Sequence, residues 1–134
     1  MPDYLAAEPL IISRLEEMLP DVKVKSMWGM QKIQESSDMA PAVFLILEQD
    51  VPGTLQRGQQ LQVQIWTCII ATTDPKNDAG LLISRVIQAL NGWRPDNKAF
   101  TEFKRVQSGI PPQSSENHVH YFALAFSTSF VFNF

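Results

Sequence analysis

The segment His118–Phe134 constrains the fold more than any other part of the chain. Read with a period of two, its even positions are His118, His120, Phe122, Leu124, Phe126, Thr128, Phe130, Phe132 and Phe134. Its odd positions are Val119, Tyr121, Ala123, Ala125, Ser127, Ser129, Val131 and Asn133. One side is crowded with aromatic rings and the other is small and largely polar, which predicts a long strand with one apolar face. The pattern runs to the final residue, so that end of the chain is expected inside a sheet.

Such a face needs cover, and two helices are predicted to supply it. The first lies within Tyr4–Leu19, where Leu5, Ile12, Leu15 and Leu19 form a stripe with Ile11 and Met18 beside it. Pro9 fits a first turn, so the regular helix is expected to begin near Glu8, and Pro20 ends it. The second is Ala79–Leu90, where Ala79, Leu82, Ile83, Val86, Ile87 and Leu90 repeat at helical spacing. Asn77 or Asp78 is its candidate cap, and Asn91-Gly92 is its stop.

Four further strands are expected. Val22–Trp28 alternates as a half-exposed strand, and Gly29–Ala40 reads as a loop. Ala42–Glu48 is apolar on both faces and reads as a central strand. Asp50–Gln59 holds Pro52, Gly53 and Gly58 and reads as a long hairpin connection. In Gln60–Thr72, Leu61, Val63, Ile65 and Ile69 line one face. The other face begins with Gln60, Gln62 and Gln64 and turns apolar at Trp66, Cys68 and Ile70, so the strand passes from solvent into a core. After the linker Thr72–Asp78 and the second helix come a strand at Ala99–Gln107 and a loop at Ser108–Asn117. The order predicts one α+β domain spanning 1–134, with a mainly antiparallel four- to five-stranded sheet and both helices on one face. Two short helices leave apolar residues on the other face. Either the sheet curls over itself with loops as cover, or a neighbouring subunit covers it.

Composition narrows the function. With 11 Lys+Arg against 14 Asp+Glu the net charge is −3, which gives no basic excess for gripping nucleic acid. The single cysteine, Cys68, excludes an intrachain disulfide and reads as a buried thiol. No run of residues reaches the ~20 apolar positions of a membrane helix, no leader pattern opens the chain, and the protein is expected in the cytosol when made. His118 and His120 share a strand face but lack a third metal ligand at any known spacing, and read as strand-end residues. No phosphate-binding glycine pattern and no nucleophile motif occurs. Arg94, Lys98, Lys104 and Arg105 near Trp93, Phe100 and Phe103 read as solvated charge around core aromatics. No catalytic residue, cofactor or metal is expected. The reading from another class is a small-ligand or enzymatic domain with its pocket under the Phe-rich strand.

The helix ending SRLEEMLPDVKV, the strands AVFLILE and LQVQIWTCIIAT, the run DAGLLISRVIQALNGWRP and the closing HYFALAFSTSFVF together resemble the tail terminator and tail completion proteins of long-tailed bacteriophages. The resemblance covers nearly the whole chain and is carried by arrangement rather than by one motif. It implies a non-catalytic virion subunit that forms a ring, usually a hexamer, at the head-proximal end of the tail tube. Its implied partners are copies of itself, the tail tube protein and head–tail connector proteins, with DNA sliding through the ring without specific binding. On that reading the segments Asp50–Gln59 and Ser108–Asn117 contact neighbours, Val51, Leu55, Arg57 and Ile110 are candidate contacts, and Trp66 and Ile70 lie on a face that a partner covers.

Overall fold

The structure, a computed structural model, describes residues 3–27, 41–73, 78–95, 99–114 and 118–134. Its elements in chain order are α1 (Ala7–Met18), β1 (Lys23–Ser26), β2 (Ala42–Gln56), β3 (Gln59–Thr72), α2 (Gly80–Leu90), β4 (Lys104–Val106), β5 (Gln113–Ser114) and β6 (His120–Asn133). Both helices form where the apolar periodicity places them. Pro9 occupies the first turn of α1, where a missing N–H costs no helical bond. At the end of α2 the Asn91 amide donates to the Ile87 carbonyl, and the Gly92 amide donates to the Phe103 carbonyl. The residue before α2 is Ala79, which has no side chain to cap with, so the expected cap Asp78 does not hold the cap position; residue 77 lies outside the described residues, as do Trp28 and the expected loop at 29–40.

The sheet has six strands in the order β1-β2-β3-β6-β4, with β5 also on β6. It is mixed, which corrects the expectation of four or five mainly antiparallel strands. β1 runs parallel to β2, pairing Lys23–Ser26 with Ala42–Leu45. A parallel pair needs a connection longer than a hairpin, and the chain between Ser26 and Ala42 is long enough to provide one. The expected strand at Ala99–Gln107 shortens to β4, because Phe100 and Phe103 are buried in the core beside Phe130 rather than paired in a ladder. Part of the expected loop Ser108–Asn117 pairs as β5, with Gln113 opposite Tyr121.

Both helices lie on one face. Ile11 and Leu15 of α1 and Leu82, Val86 and Leu90 of α2 share a core with Val43, Leu45, Trp66, Cys68, Ile70, Phe126 and Phe130 of the sheet. Each such large side chain, removed from water, contributes about 1.5–3 kcal/mol before the entropy of ordering it is subtracted. The opposite face carries a second cluster of Ala42, Phe44, Ile69, Ala71, Val119 and Tyr121, with Met27 and Ile110 packed on it. Loop cover therefore accounts for the body half of that face.

Candidate assembly surface

Half of the sheet extends past the helices. From Gln49 onward β2 pairs with β3 out to Gln56 and Gln59, and β3 pairs with β6 out to Asn133. We refer to this three-stranded extension as the arm. The expected long connection Asp50–Gln59 is thus mostly strand, and the turn contracts to Arg57-Gly58. Gly58 takes φ +73°, a left-handed conformation that a side chain disfavours, and its carbonyl accepts the Phe134 amide at 2.8 Å.

Two irregularities in β2 shape the arm. The first is at Glu48. Leu47 pairs with Trp66 and Gln49 with Ile65, so Glu48 is an extra residue, a β-bulge. Because strand side chains alternate, one added residue exchanges the faces of all that follow. Glu48 faces away from the helices, where Thr67 Oγ1 (2.8 Å), Ser108 Oγ (2.6 Å) and the Gly109 amide (2.9 Å) donate to its carboxylate. Burial alone would raise its carboxyl pKa, but these three donors outweigh burial and hold it below the ordinary 4.5. The second irregularity lies between Pro52 and Leu55. At Gly53 an added Cβ would meet the Leu61 carbonyl oxygen at 3.0 Å, so the strands approach there only because the residue is glycine.

Asp50, past the first bulge, faces the helix side. Tyr4 Oη donates to its two carboxylate oxygens at 3.0 and 2.9 Å, and Gln62 Nε2 donates at 2.8 Å. Gln64 Nε2 donates to the Tyr4 carbonyl (3.1 Å), and Gln64 Oε1 accepts from the Trp66 indole (3.1 Å). Two of the three glutamines expected to mark solvent, Gln62 and Gln64, are therefore buried, Gln64 completely. Each is tied into a network that removes the ~1–3 kcal/mol cost of a buried unpaired amide. The Tyr4 hydroxyl is pushed up to about 12 by burial first, then by its hydrogen bond to Asp50 and that carboxylate's charge. The Tyr4 ring stands edge-on against Phe130 and Phe132.

Trp66 and Ile70 require a correction. They were expected on a face covered by a partner, but they are 1% and 0% exposed within the single chain, beneath the helices. The same apolar parity that marked them serves the subunit's own core. By contrast Val51 (45%) and Leu55 (63%) are exposed, as is Arg57 at the turn. Leu61 and Val131 are also exposed, and sequence reading passed them over as candidates. The pairs Val51–Val63 and Leu61–Val131 place an apolar strip across all three strands on the side away from the helices. Ile110 is half-buried on the second cluster, away from the arm.

Among the described residues the arm also has two unpaired edges. β1 pairs with β2 only as far as Leu45, and no described strand lies beside β2 from Ile46 to Gln56. On the other side β4 covers Ala125–Ser127 and Thr101 bonds the Ser129 backbone, but no described strand lies beside Phe130–Asn133. A shallow open groove of about 400 Å³ lies next to that second edge, lined by Val63, Thr101, Glu102, Lys104, Ser127 and Ser129. Beneath the Phe-rich strand, where the other reading places a pocket, Phe126 and Phe130 are buried in the core.

His118 precedes β6 with φ +61°, so it does not share a strand face with His120, whose Nδ1 lies 2.8 Å from Ser114 Oγ. Among the described residues no three His, Cys, Asp or Glu side chains converge on a point. No helix among them is long and apolar enough to cross a membrane. No curated protein matches the chain. The family described as phage tail terminator protein matches residues 1–133. A match over essentially the full length, on an α+β fold with both helices on one sheet face, places the chain: it belongs to the phage tail terminator family, structural proteins of the bacteriophage tail.

Proposed function

We propose that this protein closes the tail tube as a homo-oligomeric ring, six subunits in number, and forms the tail side of the head–tail junction. Family membership supports the station in the virion. The observation that supports ring assembly is the arm, with exposed Val51, Leu61 and Val131 on one face and, among the described residues, unpaired edges on opposite sides. An isolated protein seldom leaves long strand edges and an apolar strip unprotected. Edges on opposite sides favour head-to-tail contact, in which each copy offers one edge to the next. Tail tube and connector proteins are the further partners. The net charge of −3 per subunit gives the ring a lumen without basic excess, through which DNA slides without being held.

Native mass spectrometry and electron microscopy, with and without the tail tube protein, test the reading. Rings that grow with concentration, or that form on tube ends, are the expected result. A monomer that never caps or binds the tube would overturn it.

A further inference from the structure

We propose that Glu48 and Asp50 are positioning residues that set the angle of the arm, one from each face of the sheet. The functional half of this inference rests on the arm being the assembly element. In a regular strand two residues at this spacing would share a face. The bulge at Glu48 puts them on opposite faces, at the point where the arm leaves the helix-covered body. Each carboxylate then holds a different anchor outside the arm. Glu48 takes Ser108 and Gly109 of the segment after β4, together with Thr67. Asp50 takes Tyr4 of the segment before α1, together with Gln62 and Gln64.

A bulge bends a strand and weakens its ladder locally. Pinned from one side only, the arm would swing away from the pin. Pinned from both, it stays in one direction before any neighbour arrives. An arm ordered in advance saves the cost of ordering it during association, and a ring closes only if every subunit presents the same rotation.

Hydrogen exchange by mass spectrometry on dilute, unassembled protein tests the clamp. The variants are Glu48→Gln, Asp50→Asn and the milder Tyr4→Phe and Ser108→Ala, which keep both carboxylates and fold even if the first two do not. The expected result is exchange of residues 49–64 about tenfold faster while α1 and α2 stay unchanged, with assembly requiring more protein by a similar factor. Unchanged exchange in the arm overturns the proposal, and so does an equal rise in α2, which would mean general destabilisation. Rings forming normally from a loosened arm would remove the positioning role but leave ring assembly standing. If the parent protein never forms rings, the functional reading fails, while the monomer exchange still decides the clamp.

Discussion

The two halves of the β2–β3 ladder share strands and hydrogen-bond pattern but differ in what covers them. In the body half, Trp66, Cys68 and Ile70 are sealed under α1 and α2, and Phe44 and Ile69 are sealed on the reverse. In the arm half, the helix side is a network of glutamines, Asp50 and Tyr4, and the reverse leaves Leu61, Val51 and Val131 in water. The body has the parts of a self-sufficient core. The arm is ordered by hydrogen bonds at its base and leaves its apolar strip for another molecule. Stability and assembly are therefore assigned to different ends of the same strands.

Substitutions can break that division, and the largest effect belongs to the body. Trp66→Asp empties a large buried volume and inserts an unpaired charge, and is expected to cost more than about 4 kcal/mol, enough to unfold the chain. Loss of the near-ultraviolet circular dichroism signal checks this, and a folded monomer would show that the body is not a core. Gly53→Val comes next. Its side chain collides with Leu61, at an expected cost of about 1–3 kcal/mol in urea unfolding, with accelerated exchange concentrated in the arm.

Acid sharpens the comparison at the arm's base. The Glu48 carboxyl is depressed in the folded state, so its contribution is complete above the ordinary value of 4.5 and is lost as pH falls through the depressed one. The stability difference between the parent protein and Glu48→Gln should be constant near neutral pH and shrink below about pH 4.5; a gap that widens in acid would reverse the assigned sign. The smallest effect on folding belongs to the strip. Val51→Lys and Val131→Lys should change stability by no more than about 0.5 kcal/mol yet abolish rings in light-scattering mass measurements. Intact rings would move the interface elsewhere.

Much of this division was legible in the residues. The alternating runs around Trp66 and Phe126 fixed which faces pack, and helical spacing at Leu82, Val86 and Leu90 fixed α2, because burial follows local periodicity. Three things were not legible. A bulge has no signature in Leu47-Glu48-Gln49, so the exchange of faces that turns Val51 outward was hidden. Glutamine at Gln62 and Gln64 signals water unless partners distant in sequence, here Asp50 and Tyr4, are known. The parallel pairing of β1 depends on a tertiary choice that alternation in Val22–Trp28 does not record. Trp66 and Ile70 were misassigned for a related reason: an apolar face announces that it will be covered but not by what.

Cys68 has a consequence for the particle's life outside the host. It is wholly buried, and burial pushes its thiol up to about 12. Since the thiolate is the form that reacts, sulfenic acid and mixed disulfides have almost no foothold while the subunit is folded. A tail component so built meets air and peroxide with its one thiol out of reach, and that thiol becomes reactive only when the subunit unfolds.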